Sequence, residues 1–299
     1  MTEMNPLAEF SNALARRVET ARDAIVAVRL AHGRHITGIV WRPDTVVVSE
    51  QSLPQKDDLE VVAAGGSVVT AKMAGRDPAT NIAILRLAEP ITSPSIAAGE
   101  AQTGAVALAI GADGTGGASA RLGLINLAGA EWHSSRGGLI DRRIVLDLRL
   151  ARHEEGGPVF DTAGACLGMS TFGPRGQVIA IPTATIERVV PLLLKNGRIP
   201  RGWLGVALQP VAVPDALRET AGQSSGLMVM SVVADGPAAH AGMVAGDIVL
   251  SVDGTSTHRF RKIARHFGSD SIGRKAELRL IRGGTVITVP ATIAERPAA

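Results

Sequence analysis

The stretch that decides the fold reads Glu154-Glu155-Gly156-Gly157-Pro158-Val159-Phe160. It places two glycines and a proline between two apolar runs, residues 144–150 and 165–172, and the second run is punctuated by glycine. Turn-forming residues between short apolar runs are typical of consecutive β-strands. The stretch therefore predicts a tight loop between two strands.

Outward from this loop, similar apolar runs bounded by Gly, Pro or Asp recur along the chain. They lie at residues 24–30, 37–41, 45–49, 59–63, 82–87, 105–110, 122–127 and 177–181. Their close spacing indicates a β-barrel or sandwich and not βαβ units. A helix is predicted over residues 184–196, with Thr183 as its N-cap and Gly197 as its C-cap.

Residues 198–202 have the composition of a linker, and a second, smaller unit follows. Its predicted strands are residues 204–208, 227–233, 248–252, 276–281 and 286–291, and its predicted helices lie near 238–242 and at 258–267. At the other end, apolar residues at three- and four-residue intervals from Leu7 to Ile25 predict an amphipathic N-terminal helix.

Composition limits the classes of function. The chain has 299 residues, 45% hydrophobic, which suits two domains, and 31 basic against 28 acidic residues leave a net charge of +3. That surplus does not favour nucleic-acid or membrane binding. The single cysteine, Cys166, excludes an internal disulfide and is expected to be buried, and the seven histidines show no metal-binding spacing. Neither a metal nor another cofactor is expected.

No apolar run is long enough to span a membrane, and residues 1–34 lack a secretory signal. We therefore expect a cytoplasmic protein if Met1 is the native start, and a periplasmic one if a leader has been removed.

The quoted loop resembles the nucleophile loop of the HtrA (DegP-like) trypsin-like serine proteases, Gly-Asn-Ser-Gly-Gly-Pro-Leu. Other segments resemble that family in the same order along the chain. They are Thr37-Gly38-Ile39-Val40, residues 47–53, residues 75–85, Ala180-Ile181-Pro182, Gly202-Trp203-Leu204-Gly205-Val206 and the PDZ-like run 236–248.

The resemblance implies a mostly β fold, a chymotrypsin-like double β-barrel followed by a PDZ domain, with a short N-terminal helix. The expected boundaries are 1–19 for the helical segment, 20–197 for the protease-like domain, 198–202 for the linker, 203–295 for the PDZ domain and 296–299 for a frayed tail.

Matched residue by residue, the family's catalytic histidine, aspartate and serine fall on Ser52, Asn81 and Glu155. Acyl transfer by such a triad needs a base, an orienting carboxylate and a hydroxyl nucleophile. None of the three residues can fill its family role, so the triad is degenerate and a pseudoprotease is predicted.

The loop around Glu155 leaves several alternatives open. His153 stands where the family has glycine, and the Glu155 carboxylate either accepts the loop's own N–H groups or faces solvent. An inverted Ser52–His153 dyad is weighed against a solvent-facing His153, and a metal site of His153, Glu154 and Glu155 against ordinary loop solvation. The serine-rich segment 133–138 is interpreted as a loop.

By the same resemblance, Trp203, Leu204, Gly205 and Val206 bind a peptide's terminal carboxylate, and the peptide adds as a strand along residues 206–208. Helix 258–267 would form the opposite wall, with Ile263 as a candidate groove residue and Phe260 and Phe267 as weaker ones. Its basic residues either face solvent or favour acidic ligands. They are Arg259, Arg261, Lys262 and Arg265.

Three functions follow as hypotheses. The first is a proteolytically inactive HtrA-like protein that binds peptides or protein C-termini as an adaptor, sensor or chaperone. The second is a serine endopeptidase with residual or rewired activity, and the third is a structural subunit that joins active paralogues. The resemblance also implies a homotrimer, in which Phe10 either joins subunits or docks on its own barrel.

Overall fold

The computed structural model describes residues 5–258 and 263–297. Contacts divide the chain into two compact units. The first comprises the chain up to Trp132 together with Ile140–Ile199, and the second comprises His133–Leu139 together with the chain from Pro200 onward.

The first unit opens with helix α1, Pro6–Arg22, which is capped by the Asn5 side chain through the N–H groups of Leu7 and Ala8. Six antiparallel strands then close a barrel in the order β1-β2-β3-β6-β5-β4. They are β1 (Ile25–Arg29), β2 (His35–Arg42), β3 (Thr45–Ser49), β4 (Asp58–Val62), β5 (Val68–Asp77) and β6 (Ile82–Leu87).

A second barrel has the order β11-β14-β13-β12-β7-β8. Its strands are β7 (Val106–Ala112), β8 (Ala118–Ala128), β11 (Ile144–Asp147), β12 (Pro158–Phe160), β13 (Cys166–Phe172) and β14 (Val178–Pro182), and a short ribbon of β9 (Trp132–His133) and β10 (Leu139–Ile140) precedes β11. Helix α2, Thr183–Asn196, follows and ends at Gly197, whose φ of 69° is left-handed as its predicted C-cap role requires.

Apolar side chains join the two barrels. Ile39 and Ile82 of the first barrel form one buried cluster with Met169 and Ile181 of the second and with Ile186 of α2. This shared core fixes the two barrels against each other, so side chains at their junction are held in defined positions.

The second unit is built on a sheet with the order β16-β17-β18-β20-β21, in which β19 also pairs with β18. Its elements are β15 (Gly202–Trp203), β16 (Val206–Ala212), α3 (Arg218–Ala221), β17 (Ser225–Val232), α4 (Pro237–His240), β18 (Ile248–Val252), β19 (Thr255–Ser256), β20 (Lys275–Arg282), β21 (Thr285–Thr292) and β22 (Ala294–Glu295). The predicted mostly β architecture, two barrels followed by a PDZ-like unit with a helix at the start, is confirmed.

The structure differs from the sequence-based prediction at two strands and at one helix cap. Strands β5 and β12 were not predicted, although both complete barrels. The predicted N-cap of α2 is also wrong, because the cap residue is Pro182 and the Thr183 hydroxyl donates instead to the Cys166 carbonyl at 2.7 Å. A bond to the neighbouring strand satisfies this hydroxyl, so it is not used on the helix end.

Within the described residues, no helix combines the length and the apolar character that crossing a bilayer requires. Cys166 is fully buried, and burial raises the pKa of its thiol to about 11, against weaker opposing hydrogen bonds such as that with Thr183.

Candidate functional site

Ser52 and Asn81 reach the junction of the barrels from the first barrel. Ser52 ends a short 3-10 turn, Glu50–Ser52, directly after β3. The Asn81 side-chain oxygen accepts the Gln51 N–H at 2.8 Å. This bond ties the turn that carries Ser52 to the start of β6.

Asn81 itself is held by the turn between β5 and β6. The Asp77 carboxylate accepts the N–H groups of Ala79 and Thr80, both at 3.2 Å, and the Thr80 hydroxyl at 2.7 Å. The chain then enters Asn81 with a left-handed φ of 59°, a conformation that asparagine tolerates better than most residues.

Glu155 comes from the second barrel, directly after a 3-10 turn, Arg152–Glu154. Its carbonyl accepts the Thr37 N–H at 3.0 Å, and Gly156 donates to the Ser170 carbonyl at 2.9 Å. Gly156 has a φ of 92°, and a Cβ there would lie 2.1 Å from the Thr37 carbonyl oxygen. Only glycine fits this close approach of the backbones.

The Glu155 carboxylate is buried, with 4% of the residue exposed, and several donors surround it. Oε2 accepts the Ser52 hydroxyl at 2.5 Å. Oε1 accepts the Ser49 hydroxyl at 2.9 Å, the Thr171 hydroxyl at 2.6 Å and the Gln51 side-chain amide at 2.6 Å. Hydrogen bonds of this number compensate the cost of burying a carboxylate.

Asn81 supports this arrangement without touching the carboxylate. Its Nδ2 donates to the Ser49 hydroxyl at 3.0 Å and to the Thr171 hydroxyl at 2.8 Å. Because both hydroxyls receive a proton from Asn81, each directs its own proton to Glu155. The structure therefore brings the three predicted positions, Ser52, Asn81 and Glu155, into one hydrogen-bonded network.

Neither alternative for the Glu155 side chain describes what is found. The solvent-facing alternative is wrong, because the carboxylate is buried. Among the described residues, the one backbone N–H bonded to it belongs to Phe172 of β13, at 3.4 Å, and not to the loop of Glu155 itself. The carboxylate turns toward the first barrel because the hydroxyl and amide donors lie there.

Glu154 points the opposite way. Its carboxylate accepts the Ser119 hydroxyl at 2.8 Å, Arg121 Nε at 2.9 Å and the Ala151 N–H at 2.7 Å. Burial opposes its charge, but these three donors outweigh burial and hold the pKa of Glu154 below its ordinary value. Glu154 therefore anchors the loop to β8 as a carboxylate.

The proposed dyad of Ser52 and His153 does not form. The Ser52 hydroxyl bonds to Glu155, and the His153 ring lies beside His35 with 5.2 Å between ring centroids. The two carboxylates after His153 diverge, and no group of three or more potential metal ligands occurs in the part of the chain that the structure describes.

Segment 133–138 forms the turn of the β9–β10 ribbon. Ser134 donates to the Gly138 carbonyl at 2.9 Å and Gly137 donates to the Ser134 carbonyl at 3.0 Å. The interpretation of this serine-rich segment as a loop is confirmed.

A cleft of about 540 Å³ opens beside the network. It is lined by Gln51, Ser52, Leu150, Arg152, Glu155 and Phe172. Gln51 Nε2 donates to the Phe172 carbonyl at 3.0 Å. With the bond from the Phe172 N–H to Glu155, both backbone polar groups at the cleft end of β13 are held by side chains of this chain.

Three residues of the network were not predicted from the sequence: Ser49, Gln51 and Thr171. Ser49 ends the apolar run of β3 and Thr171 lies within that of β13. Polar residues inside buried apolar runs need partners, and that signal was available. Nothing in the sequence distinguished Gln51 from any other polar loop residue.

In the second unit, the predicted carboxylate-binding loop leads into β16. The Leu204 carbonyl accepts the Ala238 N–H and the Gly205 carbonyl accepts the Val233 N–H, both at 2.8 Å. Gly205 has a φ of 79°. Trp203 pairs with Ala294 of β22. The loop is thus braced on both sides, and its role in binding stays a prediction.

Ile263 is buried in the core of this unit, where Phe267 also packs. Residues Ala264–Phe267 form a 3-10 helix. The predicted residues Arg259, Phe260, Arg261 and Lys262 lie outside the described residues. The contribution of Ile263 to a groove therefore stays a prediction.

Phe10 of α1 lies over the second barrel, where it borders a small cavity of about 80 Å³ with Leu14, Val106 and Leu108. It keeps 43% of its surface exposed, and Leu7, nearer the start of the same helix, keeps 80%. The partial contact is compatible with docking on its own barrel and leaves apolar surface uncovered.

Comparison with known protein families identifies both units. A trypsin-like peptidase domain matches residues 36–169, and a PDZ domain matches residues 202–293. The chain is HtrA-like. A trypsin-like peptidase domain followed by a PDZ domain is the arrangement that its sequence motifs indicated.

Curated proteins to which this chain is similar are named as DegP-like serine endoproteases. A protein named as a probable periplasmic serine endoprotease of DegP-like type from Brucella suis is 32% identical over 272 residues, which cover 87% of this chain and 52% of the relative. A protein of the same name from Bartonella henselae is 30% identical, with coverages of 80% and 48%. The chain therefore spans about half the length of these relatives.

Solved protease structures share the fold of this chain over almost its whole length. A serine endoprotease from Yersinia pestis is 25% identical with a TM-score of 0.71, covering 95% of this chain and 98% of that one. The HtrA-type protease AlgW with a tripeptide is 25% identical with a TM-score of 0.70, covering 96% of this chain and 98% of that one.

Proposed function

We propose that this HtrA-like chain does not cleave proteins and that it binds peptides or protein C-termini through its PDZ domain, in the manner of an adaptor, sensor or chaperone. The observation that carries the proposal is the Glu155 carboxylate at the nucleophile position, buried and bonded to Ser52, Ser49, Gln51 and Thr171.

The chemistry of the network argues against acyl transfer by the family mechanism. A serine hydroxyl at the base position does not take up a proton near neutral pH, and an amide at the orienting position carries no charge. A carboxylate that accepts four side-chain hydrogen bonds has little electron density left for attack on a peptide carbonyl.

The PDZ domain supports the binding half of the proposal. Strand β16 lies at one edge of the sheet, so its outer side is available for a peptide that adds as a further strand. The AlgW structure, which shares 25% of its sequence with this chain, contains a tripeptide. We propose the periplasm as the compartment, because the relatives are named as periplasmic.

A second candidate is a rewired endopeptidase. The Ser52 hydroxyl lies 2.5 Å from Glu155 Oε2, which is the geometry of a nucleophile beside a general base. In this reading Ser52 attacks the peptide carbonyl and Glu155 takes its proton. The family's oxyanion loop, however, surrounds Glu155 and not Ser52.

Digestion of an unfolded protein substrate, read by mass spectrometry, tests both candidates. The variants are Ser52→Ala, Glu155→Ala and the triple substitution Ser52→His, Asn81→Asp, Glu155→Ser, with folding checked by near-UV circular dichroism. We expect no cleavage by the wild type and cleavage by the triple variant alone. Cleavage by the wild type that both alanine variants abolish would instead establish the rewired enzyme.

A further inference from the structure

Strand β16 is an edge strand whose backbone directions are fixed by its ladder with β17. Val233 donates to the Gly205 carbonyl at 2.8 Å before the strand, and Val213 donates to the Ser224 carbonyl at 2.9 Å after it. In an antiparallel ladder alternate residues bond to the partner. The backbone N–H and C=O groups of the odd-numbered residues from 205 to 213 therefore point toward β17. The backbone groups of Val206, Leu208 and Pro210 point toward the open edge of the sheet.

The alternation is continuous along β16. The register shifts between Ala207 and Leu208, which pair with Ser231 and Val229. The extra residue of this bulge, Met230, is on β17, so β16 itself is not interrupted.

Pro210 is therefore the third residue of β16 whose backbone would pair with an incoming strand. Proline has no N–H to donate, and its ring occupies the place where a partner's carbonyl would approach. Pro210 is exposed, so the ring is not drawn back into the core.

A peptide that binds as proposed has its carboxylate at Trp203–Val206 and runs antiparallel to β16. Its last residue then faces Val206, its third residue from the end faces Leu208, and its fifth faces Pro210. The last and third residues from the end of the peptide can bond to both the N–H and the C=O of their partners on β16. The fifth residue from the end meets Pro210, which has no N–H to donate.

We propose that Pro210 sets the length of the segment that this PDZ domain recognises, so that only the last four residues of a C-terminus contribute to affinity through the backbone. The inference rests on the proposed peptide-binding function. The ligand class that follows is short C-terminal tails. Residues upstream of the last four form no backbone pair with β16.

The test uses the full chain and synthetic peptides with free carboxylates. A tetrapeptide selected from a random C-terminal library is extended upstream with two and four alanines, so that only backbone pairing is added. Affinities are measured by fluorescence anisotropy for wild type, Pro210→Val and Pro290→Val. Pro290 is a matched control, because it is an exposed proline in the opposite edge strand, β21.

We expect the wild type and Pro290→Val to bind all three lengths equally, within about twofold, and Pro210→Val to gain about two- to tenfold with the longer peptides. If affinity rises equally with peptide length in wild type and Pro210→Val, or rises in neither, the role of Pro210 is overturned while the proposed peptide binding stands. If no free-carboxylate peptide binds, or if carboxamide peptides bind as well, the proposed peptide-binding function fails with it.

Discussion

At the scale of single residues, Glu155 shows how a charge can be kept inside a barrel junction. Its two oxygens are saturated by hydroxyl and amide donors, and Asn81 orients two of those hydroxyls from behind. Ser49 and Thr171 are themselves almost fully buried. Removing the carboxylate leaves these donors without their acceptor, so the network is a unit and not a set of separate bonds.

We predict that Glu155→Ala lowers the free energy of unfolding of the first unit by about 2–4 kcal/mol, because buried hydroxyls lose a charged acceptor. Glu155→Gln should lose less, since one amide oxygen still accepts. Urea unfolding followed by tryptophan fluorescence measures both. Glu131→Ala, at an exposed position of the same unit, is the control. Equal stability of Glu155→Ala and Glu131→Ala would contradict the structural role of the network.

At the scale of elements, the loop from Glu155 into β12 depends on Gly156, which approaches Thr37, and on Gly157. A Cβ at Gly157 would lie 1.9 Å from the Ile110 carbonyl oxygen, whereas a Cβ at Gly176 meets nothing within 4 Å. Backbone contact of the first kind cannot be relieved by rotating a side chain. The loop and strand β7 are therefore packed backbone to backbone.

We predict that Gly157→Ala destabilises the first unit by more than about 3 kcal/mol or prevents folding, because the loop must move away from β7. Gly176→Ala should cost only about 1 kcal/mol, the strain of a left-handed φ of 74°. Soluble yield and thermal unfolding of the two variants measure the difference. Similar losses for both would show that the close approach to Ile110 is not what requires glycine.

The elements differ in how well their sequences predict them. Strands β3, β6 and β18 were predicted with their observed bounds, because each is a short run of β-branched and aliphatic residues. Strand β5 was missed because polar residues alternate along its exposed face and its register shifts between Met73 and Gly75. Strand β12 has three residues, too few for a period to show.

The sequence predicted which residues lie at the site, but not which hydrogen bonds they form there. Motif spacing placed Ser52, Asn81 and Glu155 near one another. The donors of Glu155 lie up to 106 residues away in the sequence, and no local pattern shows which hydroxyl a buried carboxylate will reach. Likewise, the rule for helix N-caps favours Thr183, and a tertiary bond to Cys166 overrode it.

At the scale of the whole molecule, each unit contains a buried carboxyl group whose hydrogen-bond partners lower its pKa. In the first unit this is Glu154. In the second, Asp247 bonds to Arg282 at 2.8 and 2.6 Å and accepts the Val244 N–H at 3.0 Å. Burial opposes the charge of Asp247, but Arg282 and Val244 outweigh it and lower its pKa.

Both carboxyl groups bind protons less readily in the folded chain than in the unfolded chain. The stability that they contribute is therefore complete above their ordinary pKa and is lost as the pH falls through the lowered one. We predict that both units lose stability between about pH 5 and pH 3. Glu154→Gln should flatten this pH dependence in the first unit only, and Asp247→Asn in the second only, because each substitution removes one titrating group.

Hydrogen exchange read by mass spectrometry at pH 7, 5 and 4, corrected for the intrinsic exchange rate, follows the two units separately, so each variant serves as the control for the other unit. If both variants keep the full acid sensitivity of the wild type, other carboxyl groups determine it.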